Sequence, residues 1–577
     1  MTDKAREPSR HPFAYVLITF IAFRLMVVLL VKPGGYITTL SDFTFYRLLA
    51  SYASQGFFPS VDYWMEYQPL FPWIPVGIYR LSLLLPNWGA PGFWFNLILA
   101  TFFLLAETAN LTLIYRIGRR LYCQEVAVRL AWIYSLFFVP LLVMLGWFDV
   151  FGLTFLLLAL ALMLRRRPLA SGMVAGLGFL VKLWSIIVVP VAFWREPTWR
   201  RRAILVAVTL ATIIIVALPF VLLNPELFAL SWTINLKRSS WETVWALLEG
   251  YTSFGKAGGG NRFDPAAAGA EQHPSTLPWL LISAAFLSVY LWLWTHPIRA
   301  ARKQRQELSE GDERKRTPLV AFQDDRRAVA FVGLTMNLLT LYLKGYSPQF
   351  LVWLLPFVIL LLPGMRGILY ALLLSAVNIV ESPIFFTLLP GQTWLLTGAV
   401  LARTGLLILL AVEYGRMALA EPIPDRWSRR LCLGAAVVLA GLALVAVPFA
   451  YDAFYQDRLA ASPHRPALDL LASEALPGAR VVVGGDEPSG AQGVFDAAYP
   501  FLRRRFEVTS VQTDWWFPGW EPRLADAIAG YPQTWIYAPV DSPLHTWMAE
   551  RYPPYESGQA PAAIEVAGWQ LSGWDTR

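Results

Sequence analysis

Cysteine is nearly absent from this chain: two residues, Cys123 and Cys432, in 577. Neither lies in a segment read below as leaving the membrane, so there is no disulfide framework. Charge is scarce as well, with Asp, Glu, Lys and Arg at 15% against about a quarter in soluble domains. Hydrophobic residues instead reach 56% and aromatic ones 15%. Such a chain would expose broad apolar surfaces to water, which excludes a wholly soluble fold and makes lipid part of its solvent. Disordered and coiled-coil classes are excluded by the same numbers. Among the five histidines, His273 and His296 have no His or Cys partner at ligand spacing, so no transition-metal site is expected. No internal repeat is present to favour the repeat-built transporters. The net charge of +8 falls in short loops between apolar runs, a pattern of membrane topology rather than of nucleic-acid binding.

Eleven apolar runs read as spanning helices, near 13–32, 93–115, 130–145, 150–164, 203–223, 277–297, 328–343, 350–363, 367–388, 393–415 and 431–450. Two further apolar stretches break the charge pattern if they cross. In 69–86, Pro69, Pro72, Pro75 and Pro86 leave only Val76 to Leu85 unbroken. Ten helical residues rise about 15 Å against a hydrocarbon core of about 30 Å, so this piece is expected to lie along the membrane surface. The stretch 171–194 carries Gly172, Gly176 and Gly178, Lys182 at its midpoint, Arg165 to Arg167 before it and Arg195, Arg200, Arg201 and Arg202 after it. A re-entrant hairpin with Lys182 near its tip keeps both arginine clusters on one side. With these two exceptions the inside loops hold nearly all the short-loop cations, including Arg116, Arg119, Arg120 and the run Arg314, Lys315, Arg316. The amino terminus is then cytosolic and residues 451–577 are outside.

The expected fold class is thus an all-α polytopic membrane protein over 1–450, with a small extracytoplasmic α/β domain over 451–577. The run Ala479-Arg480-Val481-Val482-Val483-Gly484-Gly485-Asp486 reads as strand then turn, and a second strand is predicted at Thr534 to Ala538. The Gly484-Gly485-Asp486 turn lacks the G-x-G-x-x-G spacing of a dinucleotide loop and is given a structural role.

Chemistry concentrates in the first outer loop, 33–68, which holds Asp42, Tyr46, Arg47, Asp62, Trp64, Glu66, Tyr67 and Gln68. Asp42 lies about ten residues beyond the first span, so a carboxylate there can take a proton from a hydroxyl while close to a membrane-bound substrate. Lys182 is a second candidate, because a lysine at membrane depth costs about 2.5 to 3.5 kcal/mol unless it meets water, an anion or a carboxylate. Asp149, in the outward turn Gly146-Trp147-Phe148-Asp149, is the competing partner. Glu107 with Arg24, and Glu381 with Arg403, read as structural charge pairs.

The order Ser41-Asp42-Phe43-Thr44-Phe45-Tyr46, then Tyr67-Gln68-Pro69-Leu70-Phe71-Pro72, resembles the first outer loop of the GT-C superfamily of multi-pass glycosyltransferases. The run Lys344-Gly345-Tyr346-Ser347-Pro348-Gln349-Phe350-Leu351-Val352-Trp353 is similar to the Ser-x-Gln-aromatic-x-x-Trp pattern of the branch that includes the family 87 and glycolipid mannosyltransferases. It falls on the same face as Asp42. The resemblance implies an inverting transfer of a hexose, mannose being the first expectation, from a polyprenyl-phosphate donor to a lipid or glycan acceptor at the plasma membrane's outer face. Asp42 would then be the base. Arg47, Glu66, Tyr67, Gln68, Asp149, Lys182, Lys344, Tyr346 and Gln349 would bind substrate, with Lys237-Arg238 behind them. A divalent metal stays open but is not indicated, since Ser41-Asp42 lacks the neighbouring acid of the metal-using branches. The alternative is a transporter or flippase of lipid-linked sugars, which would place its charged or broken helices at the bilayer midplane.

Overall fold

The computed structural model describes residues 12–30, 42–86, 92–252, 262–265, 275–309, 321–389, 391–419, 464–485, 506–513, 520–555 and 563–577, with scattered single residues between 430 and 441. The chain divides into two compact units, Met1–Ala443 and Leu444–Arg577.

The first unit is helical. Six of its helices are long and apolar enough to cross a membrane: α1 (Pro12–Leu30), α4 (Phe93–Leu121), α10 (Trp199–Leu223), α13 (Trp279–Ser309), a run from α16 (Met365–Ile379) through a π-helical turn to Phe386, and α17 (Thr393–Leu419). A seventh is the pair α5 (Gln124–Leu136) and α6 (Phe138–Met144), bent by 58°. The bend sits where Pro140 has no N–H to return to the carbonyl of Leu136, and Phe137 takes extended backbone, φ −71° and ψ 132°. Expected spans at 150–164 and 350–363 appear as shorter apolar helices, α7 (Asp149–Leu164) and α15 (Leu351–Leu361). The run at 328–343 is α14 (Asp325–Tyr342). The eleventh expected crossing, 431–450, and the residues Ser41, His273, Arg314 to Arg316 and Asp486 lie outside the described residues.

Around the first outer loop are α2 (Phe43–Ser51) and α3 (Leu70–Ser82). The sequence confines an unbroken helix here to Val76–Leu85, whereas α3 begins six residues earlier. Pro69 is its cap and Pro72 lies in its first turn, where a missing N–H has no helical acceptor to lose. At 13 residues α3 is still shorter than a span. It buries Phe71, Pro72, Pro75, Val76 and Ile78 and leaves Trp73 exposed.

Residues 168–195 fold back on themselves. Helix α8 (Pro168–Val181) stops at Lys182, whose backbone is extended at φ −161° and ψ 134°. A 3₁₀ segment, Leu183–Val188, and α9 (Val189–Arg195) then return. The two arms touch closely: Ser185 Oγ donates to the carbonyl of Ala175 at 2.9 Å, and a Cβ on Gly178 would stand 2.5 Å from Ser185 Oγ. Both open ends meet one short segment. Arg166 donates to Gln323 Oε1 at 2.8 Å, while Arg195 donates to the carbonyl of Phe322 at 2.7 Å and to Asp325 Oδ1 at 2.5 Å. Arg120, at the end of α4, reaches the other oxygen of Asp325 at 2.6 Å. Four parts of the chain that the positive-inside rule assigns to one side are thus tied together at one end of the bundle. Arg195 is only 3% exposed, and a hydrogen bond to a charged group contributes about 1.5 to 3 kcal/mol. Asp325→Asn is expected to lower the unfolding free energy by about 2 kcal/mol, read as a lower unfolding midpoint in detergent.

The intramembrane acids divide. Arg403 pairs with Glu381 as expected. Arg24 and Glu107 form no ion pair: Arg24 donates to the carbonyl of Ser135 at 3.4 Å, and Glu107 accepts from Tyr134 at 3.0 Å and Asn110 at 3.2 Å.

The second unit is a five-stranded sheet in the order β2-β1-β3-β5-β4. Its strands are β1 (Arg480–Gly485), β2 (Glu507–Gln512), β3 (Gln533–Pro539), β4 (Ala563–Val566) and β5 (Trp569–Asp575). The first three are parallel and the last two close an antiparallel hairpin. Both strands expected from the sequence are present, as β1 and β3. The hairpin escaped because its turn is Ala567-Gly568, with φ of 52° and 79°. Alanine seldom takes positive φ and so gives no turn signal.

Candidate active site

Asp42 caps the start of α2, and its amide N–H donates to the carbonyl of Gly146 at 3.1 Å. That bond joins the first outer loop to the turn leading into α7, 104 residues away by numbering. The Asp42 carboxylate accepts from the hydroxyls of Tyr46 at 3.1 Å and Tyr67 at 3.2 Å, both on Oδ2. The two rings rest on Phe71 and Phe148, which stack at 3.9 Å. The Tyr67-Gln68-Pro69-Leu70-Phe71 element therefore serves locally: it supplies one tyrosine donor and, through the first turn of α3, the aromatic floor beneath both.

Burial raises the Asp42 pKa to about 7, with Glu66 and Asp149 pushing the same way and the two tyrosine hydrogen bonds opposing them. The residue is nonetheless partly open to its surroundings. Tyr46 and Tyr67 are themselves raised well above the usual phenol, by burial and then by Asp42, so they stay protonated donors.

Behind Phe148, Asp149 opens α7, a position where the helix dipole favours a negative charge. It pairs with Lys182 at the tip of the hairpin and accepts from the Trp353 indole N–H at 2.7 Å. The Lys182 ammonium also lies 4.7 Å from the Phe148 ring centre, 4.8 Å from Phe350 and 5.9 Å from Trp353. A carboxylate and three rings thus offset the cost of the buried cation. From residues as far apart as 42 and 353 in sequence the fold makes one cluster: Asp42, Tyr46, Tyr67, Phe148, Asp149, Lys182, Phe350 and Trp353.

Other expected residues have different partners. Glu66 pairs with Arg262 at 2.6 Å, whose guanidinium lies 4.0 Å over Trp64. Arg47 packs against Gly92, towards α3 and α4. The Lys344 ammonium lies 5.0 Å over Trp279, with burial lowering its pKa against the pull of Glu249. Tyr346 is buried, donates to Asn378 at 3.3 Å and sits under Arg403. Gln68 is buried and Gln349 half-buried. Asp62 accepts from the amide of Phe58 at 2.7 Å and so shapes a turn of the loop. Arg262 carries no sequence signal of its own, lying in a polar stretch, whereas Trp353 closes the Ser-x-Gln-aromatic-x-x-Trp pattern but gave no hint of its bond to Asp149. Among the described residues no three His, Cys, Asp or Glu side chains gather as a metal-binding group.

The 344–350 loop is held by a bridge between Trp241 and Gly345. A Cβ on Gly345 would fall 2.1 Å from the Trp241 ring. Gly345→Ala is therefore expected to push the two loops apart and weaken the cluster, lowering activity about tenfold, an effect of about 1.4 kcal/mol on the barrier, in a protein that still purifies as a folded monodisperse species.

Residues 77–309 match the model of glycosyltransferase family 87. That stretch contains the hairpin, Asp149 and Lys182, while Asp42 and the 344–350 loop lie outside it. Among solved structures, ArnT from Cupriavidus metallidurans bound to undecaprenyl phosphate is 13% identical at a TM-score of 0.41, with 98% of each chain covered. The apo oligosaccharyltransferase of Archaeoglobus fulgidus is 11% identical at 0.31, covering 92% of this chain and 70% of that one. No curated protein matches the chain. Over residues 77–309 the chain is thus similar to glycosyltransferase family 87, in keeping with the resemblance read from the loops.

Proposed function

We propose that the protein transfers a hexose, mannose first among the candidates, from a polyprenyl phosphate to a lipid or glycan hydroxyl, with inversion at the anomeric carbon. The observation that carries this reading is the Asp42 carboxyl, raised to a pKa of about 7 beside the Lys182–Asp149 pair. A base works best when its pKa lies near the working pH.

In the proposed step the acceptor oxygen bonds to the anomeric carbon as the bond from that carbon to the phosphate oxygen breaks. The acceptor's proton goes to Asp42, and polyprenyl phosphate leaves with the electron pair. Both tyrosines address Oδ2, which leaves Oδ1 without a tyrosine donor and suited to the incoming hydroxyl. Lys182 is the cation suited to the leaving phosphate, whose negative charge grows in the transition state. Its aromatic surround excludes water, so the charge interaction is screened little. Of the aromatic residues expected to face the sugar, Tyr67 keeps that assignment, whereas Trp64 and Tyr346 are fully buried beneath Arg262 and Arg403 and offer it no face.

The tied arginine end, with Arg120, Arg166 and Arg195, belongs in the cytosol by the positive-inside rule. Asp149 opens α7, whose other end leads to Arg166, and Asp42 is bonded to Gly146 just before that helix, so the reaction is assigned to the side away from the cytosol. The amino terminus is then cytosolic and the sheet domain extracytoplasmic, in the plasma membrane. The test is transfer or donor hydrolysis by protein in nanodiscs, given polyprenyl-phosphate mannose and a panel of lipid acceptors. Turnover supports the reading; no turnover with several donor sugars would turn it toward transport of lipid-linked sugars.

A further inference from the structure

Arg403, on α17, is 3% exposed and far from any loop in sequence. One partner would neutralise it, and Glu381 does so. Yet its guanidinium makes two more contacts, each to a different loop: it donates to the backbone carbonyl of Glu242 and lies 3.7 Å over the Tyr346 ring. Glu242 takes φ of 51°, a region that a non-glycine residue adopts when its surroundings hold it there. Those two loops are themselves joined. Trp241 N–H donates to the Lys344 carbonyl at 3.2 Å, Tyr346 N–H to the Trp241 carbonyl at 3.1 Å, and the Trp241 indole to Ser347 Oγ at 3.2 Å. From α16, Asn378 accepts from the Tyr346 hydroxyl at 3.3 Å and donates to the Pro348 carbonyl at 2.6 Å.

The chain of contacts then runs outward to the candidate site. The Tyr346 ring meets the Phe350 ring at 5.8 Å, and Phe350 is one wall of the cage around Lys182. We infer that Arg403 is a positioning residue: its planar guanidinium, anchored by Glu381, holds the 344–350 loop in place through Tyr346 and Glu242, and so sets the wall that Phe350 presents to Lys182. This inference rests on the proposed function only for its kinetic consequence. The positioning itself is a statement about the loop.

The competing role is simple charge pairing inside the bundle, and the double variant Arg403→Met/Glu381→Gln separates the two, because it removes both members of the ion pair together. In nanodiscs, hydrogen exchange of the 344–350 peptide and the donor KM and kcat are measured beside wild type and Arg403→Lys. Positioning predicts that the double variant speeds exchange in 344–350 by about tenfold or more, the scale of one lost charge-assisted hydrogen bond. It also predicts that donor KM rises about tenfold with kcat changed far less, as uniform binding is lost. Arg403→Lys keeps the charge but not the planar fork, so it fails to restore either value. Unchanged exchange and KM in a folded double variant, or full rescue by lysine, would overturn the inference. Should the double variant not fold, Tyr346→Leu keeps the ion pair and removes only the ring; faster exchange in the same peptide is expected, and unchanged exchange counts against the role. Exchange needs no turnover, so failure of the proposed reaction and failure of the positioning role are read separately.

Discussion

Asp42→Asn is expected to give a folded protein in which transfer has fallen by about 10²- to 10⁴-fold, the usual contribution of a general base. The substitution keeps the size of the side chain and an oxygen that can still accept from Tyr46 and Tyr67, so the packing on Phe71 and Phe148 survives. What it removes is the proton-accepting carboxylate. The pH dependence sharpens the test. With a pKa of about 7, Asp42 is the active carboxylate only above that pH, so kcat/KM should rise through about pH 7 on its acid limb. Stability should move the other way. The folded pKa lies above the usual carboxylate value, so the folded state holds this proton more tightly than the unfolded chain. That stabilisation is full below the ordinary carboxylate pKa and is lost as pH rises through about 7. Asp42→Asn should therefore unfold at the same or a higher temperature than wild type at pH 8. Asp62→Asn, which touches only a loop turn through Phe58, should be milder. Equal losses in both would mean that the base has been misassigned.

Lys182→Met is the second large effect, and its two parts can be separated. Alone, it leaves Asp149 buried at 1% exposure with no cation, and breaking a buried pair by removing one partner costs about 3 to 5 kcal/mol. The single variant should thus unfold at a clearly lower temperature. Adding Asp149→Asn removes the orphaned charge and keeps an acceptor for the Trp353 indole, so the double variant should regain most of that loss. Activity should not return with it. If Lys182 stabilises the departing phosphate, the refolded double variant still lacks the charge that the transition state needs, and kcat stays depressed by about 10²-fold or more, the scale of one lost stabilising donor. A double variant that recovers both stability and turnover would make Lys182 a structural cation alone.

Much of the membrane architecture was legible because the signals are local. Apolar runs of 18 or more residues, and arginines at their ends, report their environment without reference to any distant part of the chain. The hairpin was legible for the same reason: arginine clusters on both flanks and a lysine between them constrain it from within 40 residues. Proline misled at α3: Pro69 and Pro72 stand at its cap and first turn, where no helical hydrogen bond is lost, and Pro75 is accommodated inside the helix, so the helix begins earlier than the prolines suggest. Asp42 stood out through its order relative to Tyr67 and Pro69, an arrangement carried by neighbouring residues.

Partner choice was decided by the tertiary structure. Hydropathy placed Lys182 at the tip but left phosphate and carboxylate open as its counter-charge; packing of the hairpin against α7 brought it to Asp149. The same packing turned Lys344 toward Trp279 and Arg47 toward Gly92, although all three lysines and arginines look alike in sequence. It also made Phe350 and Trp353, read in sequence only as members of a loop pattern, into walls of one cage around Lys182. Composition and turn chemistry act over a few residues and so determined which segments cross, fold back or lie outside the spans. Which charges meet depends on helix crossings and loop bridges that bring together residues from separate elements, 33 positions apart for Lys182 and Asp149 and 196 for Arg262 and Glu66, and only the folded chain settles it.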